Sequence, residues 1–169
     1  MGELTSTSER RWLTADELQA WVKFIAVVEL LPGVLDTQLQ RDADLTHFEY
    51  FTLAMLSEAP LRTLRMTALA SATNATLPRL SHVVSRLEKR GYVARTPCAE
   101  DRRATNAVLT EEGWQKVVAT APGHVATVLQ NAIAPLGQDD VASLDRIMTL
   151  MLGRLDPEGR FLAELSGGA

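Results

Sequence analysis

Apolar residues recur along this chain at two spacings, and each change of spacing marks a change of element. From Thr14 the period is helical: Leu18, Trp21, Val22, Ile25 and Val28 share one wide apolar face, which Leu35 and Leu39 carry on toward Arg41. Thr14 and Glu17 are spaced as a capping box that opens this helix. Pro32-Gly33 is expected to kink or split it, because proline lacks a backbone N–H and crowds the preceding turn. A second capping box, Thr46 with Glu49, opens a helix to about Ser57, with Phe48, Phe51, Leu53, Met55 and Leu56 as its apolar surface. Pro60 ends it. Leu61 to Met66 reads as a short extended piece, Thr67 as the cap of a brief helix from Ala68 to about Ala72, and Thr73-Asn-Ala as a tight turn.

The next helix, roughly Leu77 to Arg90, is two-faced. Leu80, Val83, Val84 and Leu87 form a buried stripe, while Arg79, His82 and Arg86 stand on another face. Thr76 is its N-cap, Pro78 sits in the tolerant first turn, and Gly91 suits the left-handed position after its end. Beyond Gly91 the period becomes alternating. Tyr92 to Thr96 and Thr105 to Leu109 are two strands of a hairpin whose loop, Pro97 to Ala104, carries a charged tip. Thr110 then caps a third long helix, with Glu111 and Glu112 complementing its dipole. Pro122-Gly123 should bend that helix before it ends near Pro135-Leu-Gly137. A last helix, about Asp139 to Leu155, has Val141, Leu144, Ile147, Met148, Met151, Leu152 and Leu155 along one stripe. Residues 1 to 11 and the terminal Gly167-Gly-Ala169 read as frayed ends.

Charge sharpens this picture. The net charge is −4, yet Arg62 to Arg103 holds nine of the seventeen Lys and Arg residues against three acids, Glu88, Glu100 and Asp101. A local basic block in an acidic chain is the footprint of a nucleic-acid reader, since phosphate binding needs local rather than total positive charge. At 169 residues, with 46% hydrophobic and 22% charged, the chain reads as a globular protein, long enough for one domain or for a small domain with extra helices. No run approaches eighteen apolar residues and no signal peptide is visible, so an intracellular, cytoplasmic protein is expected. One cysteine, Cys98, excludes an internal disulfide.

Helix, turn, helix and a two-stranded ribbon between long amphipathic helices is the winged helix-turn-helix plan: mainly α with a small β-wing. At residue level Leu69 to Gly113 resembles the MarR family of bacterial transcriptional regulators. The match is carried by Leu69-Ala70, by Val84-Ser-Arg-Leu-Glu-Lys-Arg-Gly-Tyr-Val93, by Asp101-Arg-Arg103 and by Val108-Leu-Thr-Glu-Glu-Gly113. Leu77, His82 and the Leu31-Pro32-Gly33 break depart from the family pattern.

The resemblance implies residues 12–45 as an N-terminal dimerisation helix and 46–110 as the DNA-binding lobe, with recognition helix about 77–90 and wing about 92–109. Residues 111–160 would be C-terminal dimerisation helices. It implies a homodimer on double-stranded DNA, with Trp12, Leu13, Ile147, Met151 and Leu155 at the two-fold interface. Arg79 and Arg86 would donate paired hydrogen bonds to guanine edges with His82 between them, and Thr76 and Leu77 lie at the entry of the same helix. Arg103 would enter the minor groove, held by a charge-assisted pair with Asp101. Arg62, Arg65, Lys89, Arg90, Arg95 and Arg102 read as phosphate contacts. The family also implies a repressor released by a small aromatic or phenolic effector, for which Trp21, Phe24, His47, Phe51 and Met55 could line a cleft.

Other functions have less to stand on. Cys98 near the wing raises a redox-sensing regulator, its thiol pKa lowered by neighbouring arginines, but no second cysteine is present to resolve a sulfenic acid. His47, His82 and His124 are too scattered for a metal motif, and no cofactor is expected. The chain lacks a Gly-rich phosphate loop, His-Glu-x-x-His, Cys-x-x-Cys and Gly-x-Ser-x-Gly, which argues against an enzyme. A winged-helix interaction module that has lost DNA binding is the remaining rival, and such a module would not need basic residues on both helix and wing.

Overall fold

The computed structural model describes residues 11–98, 101, 103–159 and 161. Helix α1 spans Ala15–Ala43, and both hydrogen bonds of the Thr14–Glu17 capping box are made at its start. The helix is not split at Pro32. One missing N–H costs an isolated helix about 3 kcal/mol, but the turns beyond it are held from outside, where Leu35, Gln38, Leu39 and Ala43 are buried. Thr37 Oγ1 also bonds the Gly33 carbonyl at 2.8 Å.

Helix α2, His47–Glu58, begins at its own capping box, Thr46 with Glu49. A 3₁₀ turn, Pro60–Arg62, leads into strand β1, Thr63–Arg65. Helix α3, Met66–Ala72, has Arg65 rather than Thr67 as its N-cap, so the brief helix starts two residues earlier than its sequence suggests. Asn74 takes the left-handed conformation, φ 47°, in the turn before α4, Leu77–Lys89. Helix α4 ends in a full Schellman motif: Gly91, at φ 77°, donates to the Glu88 carbonyl and Tyr92 donates to that of Leu87, both at 3.0 Å.

Strands β2, Val93–Pro97, and β3, Thr105–Leu109, form the expected hairpin, but the sheet has three strands in the order β1-β3-β2. The piece before α3 therefore completes the wing, pairing Leu64 with Ala107. The pairing partner of so short a strand lies more than forty residues away, which local periodicity cannot reveal. Helix α5, Glu111–Val128, passes through Pro122 and continues into a π turn, Leu129–Ile133, before α6, Gln138–Leu155.

One core holds this frame. Leu39 and Leu45 meet Leu53, Met55 and Leu56 of α2, Leu69 of α3, Leu80, Val84 and Leu87 of α4, Val93 and Leu109 of the wing, and Val117 of α5. The wing is fastened to α5 at Gly113, where a Cβ would stand 2.1 Å from the Tyr92 carbonyl oxygen and 2.7 Å from Leu109 Cδ1. Thr110 closes the same joint by donating from N to Tyr92 O at 3.1 Å and from Oγ1 to Gly91 O at 2.6 Å. Outside this core, the first half of α1 and all of α6 bury no residue.

Candidate nucleic-acid interface

The face of α4 away from the core exposes Pro78, Arg79, His82, Arg86 and Lys89, with Thr76 and Leu77 exposed at its start. Thr76 accepts the Arg79 N–H as N-cap, and that cap and the two-residue-wide buried stripe together set the rotation of the helix. Arg79 lies over the Phe48 ring at 4.4 Å, and Arg86 pairs at 3.1 Å with Glu49, whose side chain is 7% exposed while that of Arg86 is 46% exposed. Both arginines thus sit on the flank toward α2, with His82 beside them nearer the crest.

Glu49 serves two elements. Its Oε2 accepts the Thr46 N–H at 2.8 Å as part of the α2 cap, and its Oε1 takes Arg86. The opposite flank of α4 is equally committed. Arg95 of β2 donates from Nη2 to the Ser81 carbonyl at 2.6 Å and to Ser85 Oγ at 2.8 Å, and from Nη1 to Glu88 at 3.4 Å. Arg90 holds the Asp44 carbonyl and carboxylate. Arg62 lies 4.2 Å over the Trp114 ring and pairs with Glu111, whose carboxyl is held below the usual range by the Gln115 amide and then by Arg62 itself. Much of the basic block therefore joins elements to one another besides presenting charge. The Glu49 and Arg95 links went unrecognised in the sequence, although Ser81, Ser85 and Glu88 stand at i, i+4 and i+7, one helix flank.

At the wing, Asp101 and Arg103 are both exposed. Their link differs from the expected ion pair: Asp101 Oδ1 accepts the Arg103 backbone N–H at 3.0 Å, a turn-type bond that shapes the tip and leaves the guanidinium out of it. Arg102 lies outside the described residues. A concavity of about 380 Å³ between helix and wing is lined by Leu77 and Ser81 of α4, Arg65 and Thr67 at the start of α3, and Arg95, Arg103 and Thr105 of the wing. Cys98 is 6% exposed at the root of the loop, the setting of a structural rather than an oxidant-sensing thiol.

The five residues expected to line an effector cleft are not brought together. Met55 is 1% exposed in the core, because the inner stripe of α2 carries it there. Trp21 is half exposed and stacks near Phe24 at 6.2 Å on α1. Phe51 lies 5.9 Å from Phe161, and His47 faces His124, which packs on Tyr50 at 4.7 Å. A cavity of about 600 Å³ opens elsewhere, between Ala70, Asn74 and Thr76 around the α3–α4 turn and Leu152, Leu155 and Phe161 at the end of α6.

Two helices joined by a tight turn, a three-stranded wing and a basic concavity between them define a winged helix-turn-helix. The MarR family model matches residues 45–105, the lobe that carries these features. Sco3205 of Streptomyces coelicolor, a MarR family transcriptional regulator solved in complex with DNA, is 46% identical, covering 88% of this chain and 93% of its own, with a TM-score of 0.84. AbsC, a MarR family regulator of the same organism, is 39% identical over 86% of this chain and 97% of its own, with a TM-score of 0.81. In Bacillus subtilis strain 168, the uncharacterised HTH-type transcriptional regulator YdcH is 35% identical over 81 residues, a stretch spanning 47% of this chain and 55% of that protein. This chain belongs to the MarR family and is a DNA-binding transcriptional regulator.

Proposed function

We propose that the protein binds a pseudo-palindromic operator as a homodimer, represses transcription from it, and is released by a small ligand. The observation that carries the DNA reading is the concavity where Leu77 and Ser81 of the recognition helix meet Arg103 of the wing. A helix seated in the major groove would place the wing tip over the adjoining minor groove. His82, Arg79 and Arg86 are the base-reading set, with Thr76 and Leu77 at the helix entry. Asp101 shapes the tip from which Arg103 reaches the minor groove, and Arg65 and Arg102 contact phosphates. The Streptomyces coelicolor relative seen on DNA supports this reading.

The dimer rests on surface that one chain leaves uncovered. Trp12, just before α1, is 84% and Leu155 of α6 77% exposed, and Leu13 beside Trp12, Leu18, Val22 and Leu30 of α1, and Ile147 and Leu150 of α6 are exposed as well. Helix α1 has the length and apolar composition of a membrane span, and within a dimer that surface is protein-covered instead. Residues 12–45 and 111–160 then form the dimerisation unit, with Met151 in its interface, and 46–110 the DNA-binding lobe of a cytoplasmic regulator. Ligand response follows family resemblance, and a cavity of about 600 Å³ against the helix-turn-helix is of ligand size.

Selection of tight-binding duplexes from a random library by the purified protein tests the proposal. The expected outcome is one motif with two related half-sites about 10 bp apart, bound by two protomers with a steep salt dependence. Weak binding to all sequences alike would overturn it in favour of a protein partner.

A further inference from the structure

We propose that Arg95 is a positioning residue for DNA recognition: it latches the wing to the recognition helix and so sets where Arg103 meets the DNA. The proposal rests on the minor-groove reading of Arg103. Among the described residues strand β2 is an edge strand, with β3 as its sole neighbour in the sheet. Its open side faces α4, and Arg95 closes the gap twice. Its backbone N–H donates to Glu88 Oε1 at 3.2 Å, and its guanidinium reaches Glu88 Oε2, the Ser81 carbonyl and Ser85 Oγ. Ser85 Oγ itself donates to the Ser81 carbonyl at 2.9 Å and so stands ready to accept from Arg95. Three acceptors on one helix flank thus meet a planar fork of donors, a geometry that lysine cannot reproduce.

The location of the latch gives it this role. The base of the hairpin is already secured by the Schellman bond from Tyr92 to Leu87, the Thr110 bonds to Gly91 and Tyr92, and the pairing of β1 with β3. Arg95 is the contact further out, where it borders the concavity that Arg103 also lines. Its side chain is 27% exposed, so most of its donor surface is spent on α4 and little is offered to a phosphate. Without it the base of the wing stays folded, but the tip is free to swing relative to the helix. Glu88 is an acid in a basic block beside a polyanion, a residue that electrostatics alone would exclude from this face, and its place here is explained by the latch.

The test is a double-mutant cycle on the operator found by selection, read by anisotropy, with thermal melting as a check on folding. R103A should weaken binding about tenfold in the otherwise wild-type protein and lose the preference for A·T-rich flanks. In R95K and in E88Q the same R103A change should cost less than about twofold, with the preference for core bases intact and Tm little changed. E88Q is the sharper variant because it removes a negative charge near DNA. A purely electrostatic role predicts tighter binding, whereas the latch predicts weaker binding and loss of flank preference. An undiminished R103A penalty in both backgrounds, or tighter binding by E88Q, would overturn the proposal. If R103A has no effect in the wild-type protein, the minor-groove reading fails first and the latch falls with it.

Discussion

Glu49 shows how much one side chain can join. It is 5% exposed, it caps α2, and it receives Arg86 from α4. E49A should cost about 2 kcal/mol in chemical denaturation, because it opens a helix cap and strips a buried acceptor at once. R86A leaves the cap intact and removes a half-exposed partner, so its cost should stay below about 1 kcal/mol. Equal costs would mean that the cap contributes little. The capping boxes at Thr14 and Thr46 were legible because each is a short-range pattern of two side chains three residues apart. The tie from Glu49 to Arg86 was not, since nothing in the local sequence states which acid a given arginine will meet.

Between elements, the joint of α1, α2 and α5 holds two histidines face to face. Burial pushes His47 down from its ordinary value, with Asp36 opposing. Burial and then the charge of His47 push His124 down, and among the described residues the Nδ1 atom of His124 is buried without a hydrogen-bond partner. The unfolded chain therefore binds protons that the folded one resists, so stability is present above about pH 6.5 and is lost as pH falls through the lower folded values. Tm should drop between about pH 7.5 and about pH 5.5, and H47N/H124N should flatten that slope. The carboxyls of Glu17, Asp42 and Glu111 are shifted downward, away from this window. An unchanged slope in the double variant would remove the histidines as its source.

For the whole molecule, the division of burial is the telling feature. The winged lobe and the second half of α1 are packed, while α6 buries nothing and Ile147 and Leu150 stand 41% and 64% exposed. An apolar stripe of that size asks for a partner, and a second copy of the chain supplies it in the proposed dimer. I147D should sediment as a folded monomer and bind operator about a hundredfold more weakly, because the linked second half-site is lost. A dimer that survives the substitution would place the two-fold interface elsewhere.

Periodicity along the chain specifies the longer helices, the caps at Thr14, Thr46, Thr76 and Thr110, the hairpin and the helix-turn-helix, because each is governed by contacts within a few residues. Tertiary structure decided the rest. It ran α1 through Pro32, since burial of the turns beyond offsets one lost hydrogen bond, and it carried α5 through Pro122. It recruited β1 into the wing through pairing with β3. It also sorted the basic residues, turning Arg62, Arg86, Arg90 and Arg95 toward acids and carbonyls of their own protein and leaving Arg103 at the tip. A guanidinium bonds whichever carboxylate or carbonyl the fold brings within about 3 Å, and that neighbour is fixed only when distant segments have packed.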